Sequence, residues 1–215
     1  MAKVAPPDPN AGLPNQGTGV RDAAGLDLFD SYTPSADELR AIALEAEEAA
    51  LAVKGVANSI GASAAHGATG VVLAASNGFF GTYRRSNFSV SCSVLAGDGT
   101  AMERDYDFSS KVHHGDLESA ESVGKTAGER AVNRLGGRKM PTQQVPVVYH
   151  PRVASQLLGN LASAISGSAI ARGTSFLKEQ MGEAVFAEDI TIVDDPLMLR
   201  GSRSRPFDAE GQSAE

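Results

Sequence analysis

The chain has 215 residues, 42% of them hydrophobic, and a formal net charge of −7. Such a composition is typical of a soluble globular protein, and the acidic charge argues against nucleic-acid binding, which usually needs a basic stripe. The length allows one large domain or two small ones. No apolar run approaches the roughly 20 residues of a membrane span, and prolines, not the apolar core of a signal peptide, follow the first residues. We therefore expect a cytoplasmic protein.

Both ends of the chain have features of a longer protein. Residues 5–19 are rich in Pro, Gly and Asn, which predicts an extended linker. At the other end, residues 213–215 follow the string at 207–211 without a closing element. We therefore expect this chain to be the middle portion of a longer protein.

The first predicted helix begins at a capping box. Ser35 can accept from the amide of Glu38 while the Glu38 side chain reaches back to the amide of Ser35. Apolar residues then recur at helical spacing up to Val53, and Gly55 is suited to a left-handed C-terminal position. The helix is therefore predicted over residues 36–53.

The residues after this helix predict strands. Residues 56–65 and 68–76 are rich in small side chains and are expected to pair as a hairpin around 66–67. The dipeptide at 77–78, Asn-Gly, is favoured by type I′ turns, in which both central residues need positive φ. This turn should lead into a strand over 79–85.

A further strand is predicted over 87–96, because its residues alternate in polarity and place Cys92 on an apolar side, as a buried thiol. A glycine-rich turn at 97–99 leads into a strand over 100–108, and a second helix follows over 119–135. About four or five strands between two helices predict an α+β fold, in which an open antiparallel β-meander has helices packed on one face.

One string within the second helix imitates a phosphate-binding loop. Gly-Lys-Thr at 124–126 matches the end of Gly-x-x-x-x-Gly-Lys-Thr, but Ser119 stands where the first glycine is needed. Residues 117–121 indicate the start of a helix, not a strand that leads into a loop. Nucleotide binding is therefore not predicted.

Side chains that bind metals or act as nucleophiles are sparse. Cys92 is the only cysteine, so neither an internal disulfide nor a cysteine-based zinc cluster is available. His113 and His114 are adjacent, so their side chains are expected to diverge, and His150 is expected to lie in a solvated loop. The sequence has no Gly-x-Ser-x-Gly elbow, and Cys92 has no general base near it in sequence, so a serine or cysteine hydrolase is not supported.

The last third of the chain carries a recognisable order of elements. An apolar strand is predicted over 145–149, a helix over 157–164, and a second strand that ends in Asp-Asp-Pro at 194–196. Two further strings are Gly-Thr-Ser-Phe-Leu at 173–177 and Phe-Asp-Ala-Glu-Gly at 207–211. In this order of elements the chain resembles the TldD/PmbA family, also called modulators of DNA gyrase.

The resemblance implies that the helix over 157–164 has lost a metal-binding motif. TldD-like members carry His-Glu-x-x-x-His on this helix, whereas PmbA-like (TldE-like) members do not. Aligned by eye, the two histidine positions fall on Gly159 and Ala164, and the glutamate falls on Asn160. Glycine and alanine have no donor atoms for zinc, and a neutral amide cannot act as a general base. The chain therefore resembles the PmbA partner, with no catalytic residue and no metal ligand at these positions.

The resemblance also implies a function and a domain division. A PmbA-like chain is expected to assemble with a TldD-like subunit that supplies zinc and the catalytic glutamate, while this chain holds no cofactor. The pair would degrade or trim unfolded peptides, including precursors that need maturation. Residues 1–33 would be a linker and the remnant of an N-terminal segment, 34–142 a central α+β domain, and 143–215 the truncated beginning of a β-rich C-terminal domain.

A second hypothesis makes the protein a peptidase in its own right. Its metal ligands would lie outside these 215 residues or would come from Asp194, Asp195 and Glu210. Three carboxylates suit a hard metal ion better than zinc. The alternative interpretation of the two aspartates is a polar strand end before a turn.

Overall fold

A computed structural model describes residues 12–14 and 23–213. The described residues form two compact units. The first contains the residues up to Gly137 together with those from Asp194 onward, and the second is Arg138–Val193. The domain bounds inferred from the resemblance concern the longer protein and stay a prediction.

The first unit is an open antiparallel sheet with two helices. Its elements are α1 (Ala36–Leu51), β1 (Val56–Ala74), β2 (Phe80–Ala96), β3 (Glu103–Lys111) and α2 (Ala120–Asn133). The three strands lie in the order β1-β2-β3, and α1 and α2 pack against each other and against the sheet. The predicted α+β class, an open antiparallel meander with helices on one face, is confirmed.

The core lies between β2 and the two helices. Alternate residues of β2 face the helices, as expected for a strand with one buried side. Cys92 is 1% exposed in this core, and burial raises the pKa of its thiol, so the prediction of a buried cysteine is confirmed. The fully and nearly buried members of the cluster are Ala46, Ala50, Val90, Cys92, Val94, Ala96, Ala120, Val123, Ala127 and Ala131.

Helix α1 begins at the predicted capping box. The Glu38 amide donates to Ser35 Oγ at 3.2 Å, and the Ser35 amide donates to Glu38 Oε2 at 2.7 Å. The helix ends at Leu51, two residues before the predicted end, and Gly55 has the expected positive φ of 103°. The hydrogen bonds from Ser35, first its amide and then its hydroxyl, lower the pKa of the Glu38 carboxyl.

Replacing Glu38 with glutamine is expected to destabilise the protein at neutral pH but not in acid. A carboxyl whose pKa is lowered by folding contributes stability above its unfolded pKa, and this contribution is lost as pH falls through the folded pKa. The difference in melting temperature between wild type and Glu38→Gln should therefore shrink well below the ordinary glutamate pKa of 4.5. Glu48→Gln, an exposed change on the same helix, is the matched control because it removes a carboxylate outside the capping box. A Glu38→Gln difference that stays constant with pH would contradict this account.

The sheet has fewer and longer strands than predicted. β1 is continuous, and its residues His66 and Gly67 pair with Phe88 and Asn87 of β2, so the predicted hairpin at 66–67 is wrong. The two strands predicted at 79–85 and 87–96 are likewise one strand, β2. Small residues permit either a turn or an extended strand. The strand forms here because β2 supplies backbone hydrogen bonds along this part of β1.

The connections between the strands also differ from prediction. Gly78 has a φ of 86°, but Asn77 does not have positive φ, so the turn is not type I′. Instead, the Ala75 amide donates to the Phe79 carbonyl across a three-residue loop. Such loops combine a turn with a following residue in the left-handed conformation, which here is Gly78. After β2, a 3-10 turn at Gly99–Ala101 delays the start of the next strand to Glu103.

The string that imitates a phosphate-binding loop lies inside α2, as the sequence indicated. Lys125 Nζ lies 3.9 Å from Glu129 Oε1 one turn later on the helix. A Cβ added at Gly124 would lie 1.9 Å from the Ala46 carbonyl oxygen of α1. The glycine is therefore explained by the close approach of two helices, not by phosphate binding.

The second unit contains α3 (Pro151–Ala164) and α4 (Gly167–Ala171). The helix predicted at 157–164 is confirmed and starts six residues earlier. The strands predicted at 145–149 and before Asp194 are wrong, because no strand occurs between 138 and 196 in the described chain. Val148 is 94% exposed. An apolar run becomes a strand only where a neighbouring strand satisfies its backbone. None of the helices in the described ranges combines the length and apolarity that a membrane crossing needs.

Candidate functional site

Helix α3 carries the three positions where the sequence indicated a lost metal motif. His150, expected in a solvated loop, instead caps the helix, because its Nδ1 accepts from the Arg152 amide at 3.3 Å. Nothing lies within 4 Å of a Cβ added at Gly159. Asn160 is exposed, and Ala164 is buried.

A cavity of about 440 Å³ lies beside α3 within the second unit. Its lining includes Asn160 and Ala164, so it adjoins two of the three motif positions. The Ser175 hydroxyl donates to the Ala164 carbonyl at 2.6 Å, and the Thr174 hydroxyl donates to the Ala169 carbonyl at 3.3 Å. These hydroxyls stabilise the local backbone. The lining residues are Asn160, Ser163, Ala164, Ala169, Thr174, Ser175 and Phe176.

A larger groove, of about 880 Å³, lies within the first unit. One wall is formed by Tyr83, Arg85 and Asn87 of β2 together with Ser110 of β3, and the other by residues of the segment 194–205. The wall on β2 and β3 belongs to the strand face opposite α1 and α2, since these residues alternate with the buried ones. The groove is therefore built by residues distant in sequence.

Hydrogen bonds attach the segment 194–205 to the sheet. Arg85 Nη2 donates to the Gly201 carbonyl at 2.9 Å, and Nη1 lies 3.5 Å from the Ser204 carbonyl. A Cβ at Gly201 would lie 2.2 Å from Ser204 Oγ, so a larger residue would displace this buried hydroxyl. The Arg205 amide donates to the Pro196 carbonyl at 3.0 Å, and this hydrogen bond closes the loop between them.

A charged cluster fixes the same segment at Arg200. Arg200 Nε donates to Asp27 Oδ2 at 2.6 Å, and its Nη1 lies 3.1 Å from Asp116 Oδ2. These two carboxylates raise the pKa of the guanidinium. Asp27 and Arg200 are the described non-glycine residues with positive φ, at 47° and 51°. Backbone strain of this kind persists where surrounding contacts over-determine it.

The adjacent histidines take separate partners, which confirms the expected divergence. His113 Nε2 lies 2.9 Å from the Asp27 carbonyl oxygen, whereas the His114 ring lies 4.7 Å from the Tyr32 ring. The Asp30 carboxylate lies between them, since its Oδ2 accepts from the His114 amide at 3.0 Å and lies 3.9 Å from His113 Nδ1. The Tyr32 amide, together with that bond, lowers the pKa of Asp30.

The three candidate acids have different positions. Asp194 and Asp195 line the groove, and Asp195 Oδ1 accepts from the Leu197 amide at 2.9 Å, as in a polar turn. Glu210 lies in a turn organised by Asp208, whose Oδ1 accepts from the Glu210 amide. Within the described ranges, no three His, Cys, Asp or Glu side chains lie together as a metal site.

The arginines of the groove were not predicted from the sequence. Arg203 and Arg205 line it together with Arg85, and the alternation Arg-x-Arg at 203–205 was the available signal. Arg85 could not be linked to them from sequence, because over 110 residues separate them.

Comparison with known proteins decides the family. Residues 29–135 match the PmbA/TldA metallopeptidase central domain, and residues 142–215 match the PmbA/TldA metallopeptidase C-terminal domain. This chain belongs to the PmbA/TldD metallopeptidase family. The resemblance stated from the sequence is thus confirmed.

Individual relatives agree with this assignment to the PmbA/TldD family. The Metalloprotease PmbA homolog of Haemophilus influenzae is 36% identical over 98% of this chain. Metalloprotease PmbA of Escherichia coli O157:H7 is 35% identical over 100% of it. The chain covers 47% and 48% of these two proteins, so it spans about half the length of the curated relatives it matches.

Solved structures show the same fold. A protein of Bacteroides thetaiotaomicron, described as a proposed modulator of DNA gyrase, is 27% identical with a TM-score of 0.89, covering 99% of this chain and 49% of that chain. TldE of Thermococcus kodakarensis is 20% identical with a TM-score of 0.74, covering 100% of this chain and 48% of that chain. The second likeness is one of fold alone.

A metallopeptidase family implies a metal site, and the residues of α3 do not fit a zinc site. Gly159 and Ala164 offer no side-chain donor. The cavity beside α3 is lined by amide, hydroxyl and apolar groups, without imidazole, thiolate or carboxylate, whereas zinc in proteins is held by Cys, His, Asp or Glu. No catalytic step through zinc is therefore derived for this helix.

Proposed function

We propose that this chain is the core of a PmbA/TldE-like subunit in a cytoplasmic TldD/PmbA peptidase complex, and that it does not itself cleave peptides. The observation that carries the proposal is that Gly159, Asn160 and Ala164 of α3 offer neither a usual zinc ligand nor a general base. A helix without ligands or a general base cannot itself bind and activate a catalytic zinc, and in this proposal another chain supplies that chemistry. The partner in this proposal is a TldD-like subunit that carries zinc and the catalytic glutamate.

The proposed substrate is an unfolded peptide in extended conformation. The outer edge of β1 pairs with no other strand in the part of the chain that the structure describes. An exposed strand edge can bind a peptide through main-chain hydrogen bonds with little preference for side chains. Such binding suits a complex that degrades or trims peptides of varied sequence.

The proposal predicts an all-or-none result for cleavage. The full-length protein that contains this chain, purified alone, should hold no stoichiometric zinc and should not cleave an unfolded peptide. Mixed with a TldD-like protein, it should form a complex whose cleavage is abolished by a metal chelator. Zinc content by elemental analysis and cleavage by mass spectrometry measure both outcomes.

Two controls make the result specific. In the first, the TldD-like protein carries Gln for the Glu of its His-Glu-x-x-x-His motif, and the mixture should be inactive. In the second, the TldD-like protein is assayed alone, which reports how much cleavage depends on the PmbA-like chain. Stoichiometric zinc together with chelator-sensitive cleavage by the PmbA-like protein alone would overturn the proposal.

A further inference from the structure

The groove of the first unit concentrates positive charge on an acidic protein. Arg85, Arg203 and Arg205 all line it, although the chain carries a formal net charge of −7. Clustered guanidinium groups around a concave surface favour an anionic ligand. The groove volume of about 880 Å³ is large enough for several residues of a peptide.

The three arginines differ in how they are held. Arg85 donates to the carbonyls of Gly201 and Ser204, so its charge is fixed in place but is not neutralised by a carboxylate. Arg203 and Arg205 have exposed side chains, and neither makes an ion pair or side-chain hydrogen bond to another described residue. They flank Ser204, which is buried. The alternation therefore leaves both guanidinium groups available to a ligand.

The two aspartates of the groove limit what the ligand can be. Asp194 and Asp195 lie on the same lining as the arginines, and no ion pair within 4.0 Å joins them to Arg203 or Arg205 in the described chain. Two carboxylates repel a multiply charged phosphate or a nucleic-acid backbone more strongly than a single carboxylate. A planar carboxylate also matches the fork of a guanidinium through two parallel hydrogen bonds.

We propose that this groove binds a carboxylate of an extended peptide, through Arg203 and Arg205. The carboxylate is an acidic side chain or the peptide C-terminus, which share the same chemistry. The inference rests on the proposed function, since it names the class of peptide that such a subunit would hold. Arg85 positions the segment that presents the two arginines and is not itself required to contact the ligand.

The test uses fluorescence anisotropy with the 215-residue chain and labelled ten-residue peptides. The reference peptide carries two internal Glu residues and a free C-terminus. Arg203→Gln/Arg205→Gln should weaken its binding by at least about tenfold, because the two substitutions remove the charge-assisted hydrogen bonds to the carboxylate. The matched control Arg40→Gln/Lys54→Gln removes the same charge from exposed positions outside the groove and should leave the affinity within about twofold.

Changes to the peptide separate the two sources of the carboxylate. Replacing both Glu residues with Gln while keeping the free C-terminus tests the side chains, and amidating the C-terminus while keeping Glu tests the terminus. Loss of binding with either change supports the proposal and assigns the source. A peptide with Gln and an amidated end should bind at least about tenfold more weakly than the reference.

Three outcomes would overturn the inference. The first is equal affinity for the charged and the fully neutral peptide. The second is unchanged binding by Arg203→Gln/Arg205→Gln with an unfolding midpoint equal to that of wild type. The third is displacement of the peptide by inorganic phosphate at a concentration at which sodium acetate has no effect. Because the assay needs neither zinc nor a partner, its failure is distinguishable from failure of the cleavage experiment.

Discussion

Replacing Phe88 with alanine is expected to lower the free energy of unfolding by about 3–5 kcal/mol. Phe88 is 1% exposed in the middle of β2, and its ring contacts His66 at a centroid distance of 4.6 Å and His114 at 5.5 Å. Alanine removes this buried area and leaves a cavity that the long β1–β2 ladder cannot close. Equilibrium unfolding in urea, followed by circular dichroism, measures the change.

The control for this prediction lies on the same sheet. Phe108 of β3 is 56% exposed and stacks on Tyr106, so Phe108→Ala removes the same atoms without opening a buried cavity. We expect its effect to stay below about 1 kcal/mol. Equal losses from the two substitutions would mean that the face opposite α1 and α2 is as well packed as the core, contrary to the structure.

The substitution Gly124→Ala is expected to destabilise the protein by about 1–3 kcal/mol, although alanine is the better helix former. The added methyl would lie 1.9 Å from the Ala46 carbonyl oxygen and 2.8 Å from its carbonyl carbon. The obstacle is backbone, so no side-chain rotation relieves it, and α1 and α2 must move apart. The same contact places the buried alanines Ala46 and Ala127 in the core, so separation also weakens their packing.

Gly159 offers a matched control for the same substitution. It lies inside α3, and a Cβ built there meets nothing within 4 Å. Gly159→Ala should therefore keep or raise the helical signal, with a gain in stability of up to about 1 kcal/mol in the unit that contains it. Opposite signs for the two variants in urea unfolding are the expected result. A stabilising Gly124→Ala would show that the helices are not in close contact.

Gly159 also connects stability to function in the proposed subunit. In that proposal, the TldD-like partner has a metal ligand at the corresponding position of its own helix. In this chain the position is open, so crowding does not exclude a larger side chain at Gly159.

Local features of the chain were predictable from its sequence. The capping box at Ser35, the end of α1 near Gly55 and the buried thiol of Cys92 depend on residues within one or two turns or on simple alternation. The family could also be named in advance from residues 145–211, although the strands predicted at 145–149 and before Asp194 were wrong. The helix and the strings at 173–177 and 207–211 are properties of the residue sequence.

Tertiary structure decided the features that depend on distant partners. Whether His66 and Gly67 form a turn or a strand depends on β2, because β2 pairs with the whole of this part of β1. Residues 145–149 form no strand because no described strand lies beside them. The groove likewise joins Arg85 to Gly201 across more than 110 residues. Short-range propensities differ by about 1 kcal/mol or less, whereas backbone pairing and burial over many residues outweigh them. The chain sequence therefore determined helix α1, the buried thiol and the absence of His, Cys, Asp and Glu from α3. Long-range contacts alone determined the length of the strands and the groove.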